Sequence, residues 1–228
     1  MTQIADLRDL IPTLETQLPQ VIFFDAMGTL FGLKQSVGEI YAAIAKDHQV
    51  TVNVDQLNQT FYQAFKTAPP LAFGDLPATE LAQKEFDWWH NLAQTVFAKL
   101  EVLSYFQDFD TYFKDLYHYF LTPDPWWIYP DVLPLLAACR TAQIPISVIS
   151  NFDSRLLEIL NLLNLTPYFQ QVFISSQCLT AKPDRQIFQQ ALDHHQISPD
   201  HAWHIGDSHR EDYLGAQGVG MTAFLIER

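Results

Sequence analysis

The feature that most restricts this chain is a short, wholly apolar run, Val21-Ile22-Phe23-Phe24, that stops at Asp25 and enters a Gly28-Thr29 turn. Four apolar residues without polar alternation are the pattern of a strand buried on both faces, as in a parallel sheet. The event recurs. Pro145 to Ile149 stops at Ser150-Asn151, Val172 to Ile174 at Ser175-Ser176, and His201 to Ile205 at Gly206-Asp207, before a last run from Met221 to Ile226. Helical spacings lie between them, at Val132 to Ala142, Arg155 to Leu163, Arg185 to His194 and Tyr213 to Gln217. Strand and helix thus alternate from residue 131 onward, and the polar residues at the strand ends are expected to gather in one crevice.

Residues 36 to about 124 break this rhythm with long stretches rich in Ala, Leu, Gln, Phe and Tyr: Val37 to Asp47, Val54 to Lys66, Ala78 to Leu100 and Val102 to Phe120. Pro69-Pro70 separates two helical pairs, and Pro123-Asp124-Pro125 stops the last one. The expected architecture is therefore α/β: a Rossmann-like parallel sheet core flanked by helices, residues 21–35 and 125–228, with a helical-bundle cap, 36–124, inserted after the first strand. Ile4, Leu7, Leu10, Ile11 and Leu14 have helical spacing, which predicts an N-terminal docking helix within residues 1–20.

Charge narrows the partners. Lys plus Arg number 13 against 26 Asp plus Glu, a net charge of −13 that repels nucleic acid and anionic membrane surfaces. No apolar run is long enough to span a bilayer, and residues 1–20 lack the pattern of a secretory signal. Cys139 and Cys178 form neither a disulfide framework nor a zinc knuckle. A cytoplasmic location is the expectation. The sequence does not choose between monomer and homodimer.

Four strand-end segments can carry chemistry. Asp25, delivered by a strand into a Gly-Thr turn, can be a nucleophile or simply form an Asx turn. Ser150-Asn151 before a helix can bind an anion or simply cap the helix. Lys182, before Pro183 at a helix start, is a cation with a defined exit direction. The loop Gly206-Asp207-Ser208-His209-Arg210-Glu211-Asp212 is acid-rich and suits an oxygen-liganded cation such as Mg²⁺, or simply caps the next helix. Their order, each at the end of a successive strand, makes convergence on one site the stronger reading.

With these segments in that order, the chain resembles the haloacid dehalogenase superfamily of hydrolases over Val21 to Phe224. The cap position resembles subfamily IA. Asp-Ala-x-Gly-Thr-Leu-Phe, Trp88-Trp89, and Gly-Asp followed by Asp-Tyr-x-Gly-Ala resemble the rhythmically-expressed-gene-like subgroup. The resemblance implies a phosphatase that uses Mg²⁺ and a small phosphorylated molecule as substrate. It implies Asp25 as nucleophile and metal ligand, with the Met27 backbone carbonyl, Asp207 and Asp212 completing the metal site and Glu211 the lesser alternative to Asp212. It also implies Ser150 and the Asn151 N–H holding the transferring group, and Lys182 neutralising both Asp25 and the phosphate.

One position departs from the family. Its phosphatases carry a second Asp two residues after the nucleophile, as acid and base, and this chain has Met27 there. A missing acid–base costs about 10²- to 10⁴-fold in rate. The departure leaves open a weakly active phosphometabolite- or protein-binding module, and a 2-haloacid dehalogenase, whose halide leaves without a proton. Among the histidines, His209 sits in the acidic loop and is a candidate replacement acid, whereas His204 reads as a satisfied interior residue. The cap aromatics read as packing rather than as a substrate cage.

Overall fold

The computed structural model describes residues 2–16 and 18–228. Eight strands and eight α-helices lie among them. The strands are β1 (Thr2–Ile4), β2 (Val21–Phe24), β3 (Phe31–Leu33), β4 (Trp126–Ile128), β5 (Ile146–Ser150), β6 (Gln171–Ile174), β7 (Ala202–Gly206) and β8 (Thr222–Ile226). The helices are α1 (Val37–Asp47), α2 (Val54–Thr67), α3 (Ala78–Lys99), α4 (Phe109–Tyr119), α5 (Val132–Thr141), α6 (Arg155–Leu162), α7 (Arg185–His195) and α8 (Gly215–Val219).

Six strands form one sheet in the order β1-β8-β7-β2-β5-β6, and all its pairings are parallel. The apolar strand β2 is central, buried at all four positions, with Phe24 in register with Ile205 on one side and Val148 on the other. This register brings the carboxyl ends of β2, β5 and β7 level, so the residues that follow them emerge at one edge. Short β3 and β4 pair in a separate two-stranded sheet.

The N-terminal segment differs from expectation: it is not a docking helix. Thr2–Ile4 extend as a strand along β8, Thr2 opposite Phe224 and Ile4 opposite Ile226. Two 3-10 turns follow, Leu7–Leu10 and Pro12–Glu15, the first opened by the Asp6 carboxylate accepting the Arg8 N–H at 2.8 Å. The edge of β8 offers unpaired backbone groups that a strand satisfies, and Pro12 cannot supply a helical N–H in mid-run. Leu7, Leu10 and Leu14 are nonetheless buried, whereas Ile11 is half-buried. Asp25 consequently follows the second strand of the chain, and the helical insertion follows the third.

Two compact units partition the chain. The core unit runs up to Gly32 and from Trp127 to Arg228, and it also takes Leu71–Leu76; the helical unit holds Leu33–Pro70 and Pro77–Trp126. Leu71–Leu76, expected within the cap, joins the core because its backbone is bonded there. Ser175 Oγ donates to the Leu71 carbonyl at 2.7 Å, and the Phe73 and Gly74 N–H groups donate to the carbonyls of Ser176 and Cys178 at 3.1 and 2.9 Å.

In the helical unit, α1 opens on a capping box in which Ser36 and Glu39 satisfy each other's N–H groups, α2 on Asn53 and α4 on Asp108. The expected helix from Val102 to Phe120 is therefore divided. Leu103–Tyr105 make a 3-10 turn, and Asp108 then caps α4 by accepting the Thr111 N–H at 3.1 Å. Likewise, the expected helix from Tyr213 is a π-helical turn, His209–Leu214, continued by α8.

Candidate active site

Asp25 follows β2 directly, its N–H donating to the Ile205 carbonyl of β7 at 2.9 Å. Its Oδ1 accepts the Ser150 hydroxyl at 3.1 Å and the Lys182 ammonium at 2.7 Å. The same ammonium donates to Asp212 Oδ1 at 2.5 Å. Residues from the ends of β2 and β5, from the segment before α7 and from the turn after β7 thus join in one hydrogen-bonded cluster. All four side chains are buried.

Asn151 has a role beyond its N–H. Its Oδ1 accepts the Lys182 N–H at 2.8 Å while its Nδ2 donates to the Lys182 carbonyl at 2.9 Å and to Glu211 Oε2 at 3.1 Å. The amide clamps the Lys182 peptide on both sides, which fixes where the lysine side chain starts. Glu211 is thereby committed to Asn151.

Asp25, Asp207 and Asp212 each offer a carboxylate oxygen within 4.8 Å of the others. Glycine makes this approach possible. Gly28 adopts φ +88°, and a Cβ there would lie 2.4 Å from Asp207 Oδ2; a Cβ on Gly206 would lie 2.1 Å from Asp212 Cγ. Thr29 Oγ1 reaches Asp207 Oδ1 at 3.5 Å, the limit of a hydrogen bond. Three hard oxygen donors with one lysine leave a formal charge of −2 when all three carboxyls are ionised. That donor set and charge suit a divalent cation, which Asp25, Asp207 and Asp212 could hold together.

The crowding shows in the titration of each group. Burial pushes Asp25 above its ordinary value, against the pull of Lys182. Burial would also raise Asp212, but the Lys182 charge and the His204 hydrogen bond outweigh it and hold the carboxyl well below the usual range. Burial would lower Lys182, and its two carboxylates instead raise it. Glu211 is raised by burial against Lys182. Asp207 is pushed up to about 7 by partial removal from water and by the charges of Asp25 and Asp212. Its outer edge stays exposed, so water moderates both effects.

His204 differs from expectation. Its ring is buried, as the sequence suggested, but Nε2 lies 2.9 Å from Asp212 Oδ1 and Nδ1 has no hydrogen-bond partner among the described residues. It belongs to the site, a role that only its position three residues before Asp207 signals. His209 is exposed and stacked on Tyr213, ring centroids 5.8 Å apart. Met27 bridges to Phe31, and the Ala26 carbonyl accepts the Thr29 and Leu30 N–H groups of the same turn.

A sequence model described as haloacid dehalogenase-like hydrolase matches residues 19–220. Haloacid dehalogenase-like hydrolase domain-containing protein 3 of Bos taurus is 34% identical over 209 residues, covering 91% of this chain and 81% of that protein. The Rhythmically expressed gene 2 protein of Drosophila melanogaster is 26% identical, covering 91% of this chain and 82% of that protein. Among solved structures, an HAD phosphatase from Thermococcus onnurineus matches with TM-score 0.59 at 20% identity, over 91% of this chain and 86% of that one. A 2-haloacid dehalogenase from Pseudomonas syringae matches with TM-score 0.60 at 20% identity, again over 91% and 86%. The backbone is as close to one chemistry as to the other, so the reaction has to be argued from side chains.

Proposed function

The chain belongs to the haloacid dehalogenase-like hydrolases, and from that premise we propose that it is a Mg²⁺-dependent phosphohydrolase of small phosphorylated metabolites that works through an aspartyl-phosphate on Asp25. The observation that carries this reading is the convergence of Asp25, Asp207 and Asp212 on a shared 4.8 Å space beside Lys182. Displacement of halide from carbon has no dianion to screen. A phosphate approaching a carboxylate does.

In this mechanism the Asp25 carboxylate attacks phosphorus, the bond to the leaving oxygen breaks, and the phosphoryl group stays on Asp25 until water releases it. Lys182, fixed by the Asn151 clamp, balances the charge of nucleophile and phosphate, and Ser150 with the Asn151 N–H orients the phosphoryl oxygens. A bound divalent cation supplies further screening between the two anions. Met27 can neither protonate the leaving group nor activate water, which directs the proposal toward substrates whose leaving group needs little protonation, such as acyl and aryl phosphates. The same substitution favours a second reading, a phosphometabolite-binding module with little turnover.

Phosphate release from p-nitrophenyl phosphate and from a panel of phosphometabolites, with Mg²⁺ or with EDTA, tests the reading, together with labelling of Asp25. The expected result is Mg²⁺-dependent turnover and a phospho-Asp25 that accumulates because its hydrolysis is slow. Asp25→Asn should lower turnover by roughly 10⁴-fold or more, the scale of losing a nucleophile. Mg²⁺ binding with no turnover and no label would favour the binding module.

A further inference from the structure

His204 is a polar residue in a fully buried strand, β7, with its ring set edge-on to Phe188 at a centroid distance of 5.3 Å and 87°. Its hydrogen-bond contact is from Nε2 to Asp212 Oδ1 at 2.9 Å. An ionised carboxylate only accepts, so Nε2 carries the proton and Nδ1 is a bare acceptor without a partner. A buried acceptor left unsatisfied costs stability, and an apolar side chain would fill this strand position without that cost. What the imidazole provides is its hold on Asp212.

That hold has a consequence two bonds away. Asp212 Oδ2 accepts the Ser208 N–H at 3.0 Å, and Asp212 Oδ1 accepts both His204 and Lys182. Lys182 is in turn bonded to Asp25. The contacts form a line, His204 to Asp212 to Lys182 to Asp25, in which only His204 is a rigid ring locked by packing. The terminal torsion of an Asp is soft and a lysine stem is flexible, so neither fixes the other unaided.

We propose that His204 is a positioning residue: its Nε2–H locks the Asp212 carboxylate in the orientation that keeps the Lys182 ammonium on Asp25 and faces the acidic triad toward a common ion. The catalytic part of this role rests on the phosphohydrolase reading; the positioning part does not. Donors that orient groups just behind a metal site are worth about 10- to 100-fold in affinity or activity.

The test compares the full chain with His204→Phe, which keeps a ring but removes the donor, and His204→Gln, whose amide can restore it. Three quantities are read: the nitrogen-15 NMR signal of the Lys182 ammonium at low temperature, Mn²⁺ affinity, and kcat and KM for p-nitrophenyl phosphate. His204→Phe should keep its circular dichroism and a cooperative melt. It should lose the protected ammonium signal, bind Mn²⁺ about 10- to 100-fold more weakly, and lose kcat on the same scale, with KM within about twofold. His204→Gln should recover most of each. If His204→Phe does not fold, His204→Met removes the donor with a more adaptable apolar side chain and is read in the same way.

An unchanged ammonium signal and Mn²⁺ affinity in the apolar variant would overturn the proposal, as would a Gln variant as impaired as the Phe variant. If no form turns over p-nitrophenyl phosphate while the signal and Mn²⁺ affinity still depend on His204, the positioning role stands and the phosphohydrolase reading fails.

Discussion

The core unit and the helical unit use their conspicuous side chains in opposite ways. At the strand ends of the core, Asp25, Ser150, Lys182, His204 and Asp212 are buried polar groups joined by hydrogen bonds between residues as much as 157 positions apart. In the helical unit the conspicuous residues are aromatic, and they contact one another. Phe97 lies edge-on to Phe106 at 5.0 Å and stacks on Tyr41 at 6.4 Å, Phe86 meets Phe113 at 4.9 Å, and Trp88 meets Trp89 at 4.8 Å. The Trp88 indole of α3 donates to the Pro69 carbonyl, just past α2, at 3.0 Å. Aromatic density therefore marks packing in one unit, while convergence of charge marks chemistry in the other.

The sharpest way to probe the core side of this contrast is to supply what it lacks. Met27→Asp places a carboxyl two residues after Asp25 and should raise turnover of alkyl phosphates by about 10²- to 10⁴-fold, the range of a positioned acid–base. Aryl phosphates should gain less, and only through faster release of phosphate from Asp25, because p-nitrophenolate leaves without help. Equal gains on both substrates, measured as kcat, would show that the bottleneck is release of phosphate from Asp25 rather than departure of the leaving group.

On the helical side, Phe97→Ala removes a fully buried ring from the centre of the aromatic cluster and should cost about 3–5 kcal/mol, read by urea denaturation. The contrast between the units predicts that Mn²⁺ affinity at the acidic triad survives this change, since none of the three carboxyls lies in the helical unit. A joint loss of stability and metal affinity would mean that the two units do not fold separately.

How much of this was legible in the sequence differs between the units for a physical reason. Apolar runs that stop at polar residues reveal buried parallel strands, so β2, β5, β6, β7 and β8 and the residues after them could be located, Asp25 and Asp207 among them. Lys182 stood out only through the order of the segments, because a lysine before a proline is ordinary by itself. The amide clamp of Asn151 and the His204–Asp212 contact were not legible. Both depend on where a loop returns after a turn, and the π-helical turn that carries Asp212 back toward β7 has no periodicity of its own. Thr2–Ile4 is too short to show alternation, and the leucines behind it imitate a helix. Leu71–Leu76 joins the core through backbone groups, which any sequence could provide.

The smallest effect expected is also the one that separates charge crowding from simple burial. Asp207 titrates near 7 in the folded chain against an ordinary 3.8. Between these values the folded state keeps a proton that the unfolded state has already released, so stability falls as pH rises from about 4 to about 7, and the loss is complete above that. Asp207→Asn should flatten this slope to the part that the raised Asp25 and Glu211 contribute, so that without metal the variant melts above the parent at pH 8 and closer to it at pH 5. Adding Mg²⁺ at pH 8 should raise the melting temperature of the parent, because a ligand of the folded state stabilises it, and should do so much less in the variant. If the parent showed the same pH slope with and without Mg²⁺, repulsion among the three carboxyls would not be its source, and the metal would have to sit elsewhere than in the acidic triad.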